Sequence, residues 1–373
     1  MNELFGWPRE VAEAWTSVAA DLYGIPRPTT PALAQTPRDI FALEGGAKLY
    51  RFGGAKPGGK PLLLIPSMIN RWYVLDLRAG ASLVEALVGA GIDVWCLDWG
   101  IPEAEDRYLD WEAVIARLGR AVRRVKREAE ADKIAILGYC MGGTLTTIYA
   151  AQHPDDFAAL ITLAAPIDFQ RGGQLRCMVE PLWFDADAIA DAGNVEPMQM
   201  QAGFVALRPT LDFGKLMSMP DLATDAKARE AYLALDEWAS DNIPFPGEAY
   251  RRYIREMYQQ NQLVEGTHRV AGKAVPLSAI KCPTLVITAS RDAICPPAAA
   301  TALLDHIGST DKDVLEVSGG HVGAVVGSRA ARDMYPALIR WLQPRIANTS
   351  KPVVESSEPS KGSPSSKTES KKS

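Results

Sequence analysis

Short apolar segments alternate with helical patterns along most of this 373-residue chain. Six of them, each long enough for one buried strand, lie at residues 61–65, 92–97, 133–137, 159–163, 284–288 and 313–317, and residues 47–52 are predicted to form a further strand. Apolar strands that alternate with helices are typical of a mostly parallel sheet that helices cover on both faces. The sequence therefore predicts an α/β fold.

The segment 111–128 shows the helical pattern clearly. Its apolar residues recur three or four positions apart and form one stripe, made of Trp111, Val114, Ile115, Leu118, Val122 and Val125. Its basic residues are predicted to form a solvated face rather than a coenzyme site. With a formal net charge of −5, the chain offers no electrostatic case for binding nucleic acid.

The sequence GYCMGG at residues 138–143 has the spacing of a nucleophile elbow, G-x-S-x-G, with Cys140 in the place of the serine. It follows the predicted strand 133–137 and precedes a helical pattern that begins at Gly142. The glycines leave room for a sharp strand-to-helix turn, where a Cβ would meet neighbouring backbone. The motif predicts an exposed thiol at a helix N-terminus, which favours a thiolate and can stabilise an oxyanion. The alternative is a buried structural cysteine.

A cysteine nucleophile needs a base, and the chain has four histidines. His153 is predicted to end the helix after the elbow, His268 to lie in a surface segment, and His306 to lie in a helix. His321 differs, because it follows the predicted strand 313–317 in a glycine-flanked loop. An imidazole there projects from the C-terminal edge of the sheet, so His321 is the candidate base.

Asp292 is the candidate acid, because it follows the strand 284–288 and precedes His321. The chain order nucleophile, acid, histidine is that of the α/β-hydrolase fold. Asp98 and Asp168 also lie at predicted strand ends. We predict that these two carboxylates cap backbone N–H groups of their own loops.

The segmentation of the chain predicts one α/β unit that carries an insertion. Residues 1–40 form an N-terminal segment, 41–168 and 282–346 the core, and 169–281 a cap of short helices. The cap is expected to cover an acyl channel, dock a partner, pair with another copy of the chain, or merely complete the core. Residues 347–373 are rich in Ser, Lys, Pro and Glu and are predicted to be a disordered tail.

Cysteine content and hydropathy indicate the compartment. The five cysteines include no C-x-x-C pair and are odd in number, which argues against a disulfide framework. The N-terminus has no signal-peptide pattern, and no apolar segment is long enough to cross a bilayer. These features predict a cytoplasmic protein.

Five separated motifs carry a family resemblance. They are the elbow, residues 67–100, the cap segments EWASDNIP and EAYRRYIREMYQQNQL, the loop SRDAICPP around Asp292, and the loop SGGHVG around His321. From about residue 40 to residue 342, the chain resembles the catalytic subunit of a polyhydroxyalkanoate synthase, an α/β-hydrolase-fold enzyme. The short N-terminal region most resembles the class III type. The polar tail and the pair Ser290-Arg291 depart from the family pattern.

The resemblance implies polymerisation of (R)-3-hydroxyacyl-CoA, favouring short acyl groups, with release of CoA and growth of a polyester on Cys140. His321 would deprotonate Cys140, and Asp292 would either orient His321 or assist deprotonation of the incoming 3-hydroxyl. The oxyanion would be held by the N–H of Met141 and by that of Ile69 or its neighbour Met68. No cofactor or metal is implied, since acyl-CoA is the substrate.

The resemblance also implies partners: a second, non-catalytic synthase subunit, a homodimer, or both, at the surface of polyester granules. Two other functions fit parts of the sequence. A cysteine hydrolase, such as a thioesterase or polyester depolymerase, would use the same three residues and let water finish the reaction. A non-catalytic granule-binding subunit would not need the intact set of Cys140, Asp292 and His321.

Overall fold

The computed structural model describes residues 31–53, 60–207 and 225–347. Most of the predicted N-terminal segment, and all of the predicted disordered tail except Ala347, lie outside the described residues. No helix in the described ranges is both long and apolar enough to span a membrane.

Among the described residues, eight strands form one sheet in the order β1-β2-β6-β3-β7-β8-β11-β12. They are β1 (Arg38–Ala42), β2 (Lys48–Phe52), β3 (Leu62–Ile65), β6 (Val94–Asp98), β7 (Ile134–Tyr139), β8 (Phe157–Leu163), β11 (Thr284–Ala289) and β12 (Lys312–Val317). In this sheet, strands β6, β3, β7, β8, β11 and β12 run parallel to one another, whereas β2 pairs antiparallel with both β1 and β6. Two small hairpins pair β4 (Asp76–Arg78) with β5 (Ala81–Ser82) and β9 (Arg269–Val270) with β10 (Lys273–Ala274). The predicted α/β fold is confirmed.

Helices cover both faces of the sheet. They are Leu83–Gly89, Trp111–Glu128, Met141–Gln152, Gly173–Met178, Ala186–Asp191, Pro197–Leu207, Ala226–Ser240, Gly247–Arg252, Pro297–Thr301, Leu303–His306, Gly323–Val326 and Tyr335–Ile346. Short 3-10 turns lie at Trp72–Leu75, Ala104–Tyr108, Pro154–Asp156, Phe169–Arg171 and Leu277–Ala279, and π-helical turns at Tyr253–Gln259 and Ala330–Met334. The helices between β8 and β11 make up the cap segment.

The edge strand β1 was not predicted. Because it begins at Arg38, it crosses the boundary that the sequence suggested between residues 40 and 41. At the sheet edge, only part of β1 is buried: Phe41 packs on Trp95 with ring centroids 5.3 Å apart, whereas Ile40 is exposed. A strand with one apolar contact face gives no continuous apolar pattern, which is why the sequence did not predict β1. With β1 included, the sheet begins at Arg38, earlier than the sequence indicated.

The helix Trp111–Glu128 has the predicted bounds. Asp110 caps its N-terminus, with Oδ1 accepting the N–H of Ala113 at 2.7 Å. Its apolar stripe is buried against the sheet, and each large side chain there contributes about 1.5–3 kcal/mol of burial free energy. On the polar face, Lys126 pairs with Asp156 at 2.6 Å.

An ion-pair cluster ties the cap to this helix. The guanidinium of Arg252 contacts Glu112 of the core helix at 2.5 Å and Glu256 of the cap at 2.7 Å. His268 Nδ1 lies 3.1 Å from Glu256. The prediction of a surface position for His268 is wrong, because its side chain is fully buried beneath the cap turn that carries Glu256. The charged residues around it gave its segment a polar, surface-like sequence.

Replacing Arg252 with alanine should destabilise the protein by about 1–3 kcal/mol, because it leaves Glu112 and Glu256 partly buried without their cation. The urea midpoint measures the loss. The control is Arg255→Ala in the same cap turn, because Arg255 and Asp187 form a more exposed pair that is expected to contribute less than about 1 kcal/mol. Equal losses in the two variants would contradict this prediction.

The same cluster has a pH signature. Burial raises the pKa of Glu256, but its interactions with His268 and Arg252 outweigh this effect, so the pKa is lowered overall. A lowered folded-state pKa contributes stability above the unfolded value, and this contribution is lost as the pH falls through the folded value. The stability difference between wild type and Arg252→Ala should therefore shrink below about pH 4.

Candidate active site

Cys140 lies on the sharp turn between β7 and the helix Met141–Gln152, which we call the elbow helix. Its φ of 55° and ψ of −131° are a strained conformation for a residue with a Cβ. Its backbone N–H donates to the carbonyl of Leu163 in β8 at 2.9 Å, which holds the turn in place. The thiol is partly exposed, as the elbow motif predicted.

The glycines of the elbow are required by close packing. A Cβ on Gly142 would collide with the carbonyl oxygen of Ile65 at the end of β3. A Cβ on Gly138 would collide with Thr146 of the elbow helix, and one on Gly143 with Ala165 of the loop after β8. The backbone of β3 and side chains of the elbow helix and of the loop after β8 therefore approach the elbow as closely as glycine allows.

His321 and Asp292 meet beside this turn, although they lie in separate loops. Nδ1 of His321 donates to Oδ2 of Asp292 at 2.7 Å. Oδ1 of Asp292 accepts the backbone N–H groups of Ile294 at 2.9 Å and Cys295 at 2.8 Å. The Asp292 side chain is fully buried, so both carboxylate oxygens are committed to fixed partners.

The electrostatics of His321 connect it to the thiol. Burial lowers the pKa of His321, whereas the charge of a Cys140 thiolate, hydrogen bonds with Asp292 and Cys140, and the charge of Asp292 raise it, to about 10. Since Nδ1 is bound to Asp292, the hydrogen bond with Cys140 falls to Nε2. The site thus favours a protonated His321 beside the sulfur of Cys140, an arrangement that suits a base paired with a nucleophilic cysteine.

The two competing carboxylates have the capping roles that the sequence predicted. Asp98 accepts the N–H of Gly100 at 3.0 Å and the hydroxyl of Tyr50 at 2.9 Å. Asp168 accepts the N–H of Gln170 at 3.1 Å in its own turn. Asp292, in contrast, is the carboxylate that is bonded to His321.

The predicted oxyanion donors lie on the elbow and on the loop after β3. Met141 is the first residue of the elbow helix, where backbone N–H groups point out of the helix end. The loop after β3 packs against the elbow at Gly142, through the carbonyls of Ile65 and Pro66. Further along this loop, the N–H of Ile69 makes only a long contact with Ser67 Oγ, at 3.5 Å.

Aromatic residues around the site were not predicted. The ring of Tyr139 packs against His321 with centroids 5.3 Å apart and supports the imidazole. In the cap, the buried residues Tyr253 and Tyr258 pack on Phe169 of the loop after β8. Burial and the charge of a Cys140 thiolate raise the pKa of both tyrosines. Tyr139 belongs to the elbow motif, so its position was a usable signal. The two cap tyrosines gave none, because their placement depends on tertiary packing of the cap.

Comparisons with known proteins agree with this geometry. A family model described as the α/β-hydrolase fold matches residues 60–328. The poly(3-hydroxyalkanoate) polymerase subunit PhaC of Synechocystis sp. is 32% identical over 321 residues, which cover 83% of this chain and 85% of that protein. The protein of the same name from Allochromatium vinosum is 32% identical over 317 residues, covering 83% of this chain and 89% of its own.

Solved structures support the fold alone. A soluble variant of monoglyceride lipase from Saccharomyces cerevisiae, in complex with a substrate analogue, superposes with a TM-score of 0.57 at 15% identity. The match covers 86% of this chain and all of that chain.

Proposed function

This chain belongs to the poly(3-hydroxyalkanoate) synthase family of α/β-hydrolase-fold enzymes, and we propose that it polymerises (R)-3-hydroxyacyl-CoA, with release of CoA, through a thioester on Cys140. The observation that carries the proposal is the elbow thiol beside the His321–Asp292 pair, in a chain about one-third identical to named polymerases. The residue roles below are part of this proposal.

In the acylation step, His321 takes the proton of Cys140 and the thiolate attacks the thioester carbonyl of the substrate. The C–S bond to CoA then breaks, and His321 returns the proton to the departing CoA thiolate. One thioester replaces another, so the acyl group stays activated. A serine ester would lose that activation, which gives a chemical reason for sulfur at the elbow.

In the elongation step, the 3-hydroxyl oxygen of an incoming 3-hydroxyacyl-CoA attacks the thioester carbonyl on Cys140 and loses its proton to a base. The C–S bond to Cys140 breaks and the base returns the proton to the sulfur. The lengthened chain, now a CoA thioester, acylates Cys140 again with release of CoA. Asp292 has no free carboxylate oxygen for the hydroxyl proton, since its two oxygens hold His321 and two backbone N–H groups. This geometry favours the role of orienting His321 over direct activation of the hydroxyl. His321 is then the base in both steps.

The oxyanion formed in each step would accept hydrogen bonds from the N–H of Met141 and from that of Ile69 or Met68. The position of Met141 at a helix N-terminus supports the first donor, because the helix dipole adds to its hydrogen bond. The packing of the β3 loop against Gly142 supports the second.

We further propose that the protein acts in the cytoplasm at polyester granules, with a second synthase subunit, a second copy of the chain, or both. Three large apolar side chains of the cap segment are well exposed: Leu182, Trp183 and Met198. Exposed apolar side chains of this size suit a surface that a partner or an apolar polymer covers. The relatives from Synechocystis sp. and Allochromatium vinosum are each named as a polymerase subunit, which supports the second subunit.

Incubation with (R)-3-hydroxybutyryl-CoA tests the proposed function. Release of CoA and insoluble polyester are both expected, and a class III-type second subunit is expected to increase both rates. Free 3-hydroxybutyrate without polymer would instead identify a cysteine hydrolase. If no CoA is released under either condition and no acyl group is found on Cys140, the chain is a non-catalytic subunit.

A further inference from the structure

The π-helical turn Tyr253–Gln259 brings two buried tyrosines of the cap together. In this turn the N–H of Gln260 bonds to the carbonyl of Arg255, five residues earlier, at 2.9 Å. Hydrogen bonds of this spacing place residues five apart near one another, whereas an α-helix would turn them to different faces. The rings of Tyr253 and Tyr258 accordingly pack edge to face, with centroids 5.5 Å apart.

The core loop after β8 holds this pair over the C-terminal edge of the sheet. Phe169 in that loop contacts the ring of Tyr253 at 5.7 Å and that of Tyr258 at 4.7 Å between centroids. Its backbone N–H donates to Oδ1 of Asn261, just after the π turn, at 2.8 Å. The N–H of Asp168 donates to Ala299 in the helix after the Asp292 loop, at 3.1 Å. The tyrosines are therefore fixed to the loops that surround the thiol.

Both phenols also interact electrostatically with the site. Burial raises the pKa of Tyr258, and the charges of Cys140, Cys295 and Asp292 raise it further. Burial, and then the interactions with Tyr258 and Cys140, raise the pKa of Tyr253. Both phenols are therefore protonated at neutral pH, and they serve as hydrogen-bond donors rather than bases.

We propose that Tyr258, supported by Tyr253, determines specificity by donating a hydrogen bond to the 3-oxygen of the acyl group on Cys140; this inference rests on the proposed function. The thioester carbonyl faces the backbone donors of the core. The next polar atom along the acyl chain is the 3-oxygen, which would lie toward the cap, where Tyr258 packs on Phe169. A neutral donor suits this atom both as a hydroxyl and as an ester oxygen.

The surroundings of the pair make this donor selective. Phe169 and Trp111 pack against the tyrosines, with Trp111 stacked on Tyr253 at 5.9 Å. An acyl group without a 3-oxygen leaves the buried hydroxyl of Tyr258 without its partner. A site built to bond a substrate oxygen discriminates strongly against an analogue that lacks it.

The test compares (R)-3-hydroxybutyryl-CoA with butyryl-CoA in single-turnover acylation of Cys140, followed by CoA release and by mass of the intact protein. Tyr258→Phe is expected to lower the preference for the 3-hydroxy substrate by about 10-fold or more, mainly by slowing that substrate. Tyr253→Phe is expected to lower it by a smaller factor, because the donor itself remains.

Tyr250→Phe is the matched control. Tyr250 is a buried tyrosine of the adjacent cap helix that packs on Phe245, and burial alone raises its pKa, without any influence of Cys140. Loss of the Tyr250 hydroxyl should leave the preference for the 3-hydroxy substrate over butyryl-CoA unchanged. If Tyr258→Phe slows both substrates equally, or leaves both rates unchanged, the inference is wrong although the proposed function stands. If the wild type itself is not acylated on Cys140, the proposed function fails and the inference falls with it.

Discussion

Cys140→Ala is expected to lower CoA release from (R)-3-hydroxybutyryl-CoA by at least about 10,000-fold, and no acyl-enzyme should form. Every step of the proposed cycle passes through a bond to this sulfur. The backbone donors and His321 remain in the variant, but they have no nucleophile to activate. Rapid-mix measurement of CoA release, with mass analysis of the protein, would record both effects.

Cys140→Ser separates the need for a nucleophile from the need for a thiol. Its hydroxyl has a far higher pKa than a thiol, and the ester it forms is a poorer acyl donor than a thioester. We expect slow acylation and still slower elongation. Cys177→Ala is the matched control, because Cys177 is an exposed thiol of the cap. The activity of this variant should equal that of wild type. Wild-type CoA release by Cys140→Ala would show that another residue is the nucleophile.

The parts of the fold that bury apolar surface on both sides could be predicted from the sequence. The strands that precede Cys140 and Asp292, β7 and β11, are buried along their whole length, and such segments give a clear apolar pattern. The order of the site residues also followed, because the carboxyl ends of parallel strands meet at one edge of the sheet. The 2.7 Å contact between His321 and Asp292 is a consequence of that order.

The parts that depend on tertiary contacts could not be predicted. The edge strand β1 is half exposed, so its pattern resembles a loop. The burial of His268 depends on the packing of its segment against the turn that carries Glu256, which lies twelve residues earlier in the chain. The π turn that brings Tyr253 and Tyr258 together has no periodic signal of its own, because its hydrogen bonds deviate from both regular periods.

The partly exposed thiol and the buried cap tyrosines together suggest how polymerisation can outcompete hydrolysis. A thioester on Cys140 is open to water as well as to a hydroxyl, so the selection must come from what the site holds in place. The buried cap tyrosines that pack on Phe169 would limit the access of water, while the proposed hydroxyl donor would align the acyl chain. Specificity and protection of the intermediate would then have a common structural origin.

Asp292→Asn is expected to lower acylation of Cys140 by about 1,000- to 10,000-fold while leaving the fold intact. An amide can hold the ring of His321, but it removes the negative charge that stabilises the imidazolium. Since burial lowers the pKa of His321 and the charge of Asp292 opposes this effect, the pKa of His321 should fall in the variant. The imidazolium–thiolate pair then becomes less stable, and alkylation of Cys140 by iodoacetamide near pH 7 should slow.

Separate measurement of acylation and elongation decides which role Asp292 has. If it orients His321, Asp292→Asn slows acylation and elongation together, because His321 is the base in both. If it activates the incoming hydroxyl, the first CoA is released at the wild-type rate and only chain growth stops, which would contradict the orienting role. Asp98→Asn is the control, since Asp98 caps its own loop and bonds to Tyr50. Its activity should stay within about threefold of wild type, because its loss disturbs one capped loop and leaves the charge beside His321 unchanged.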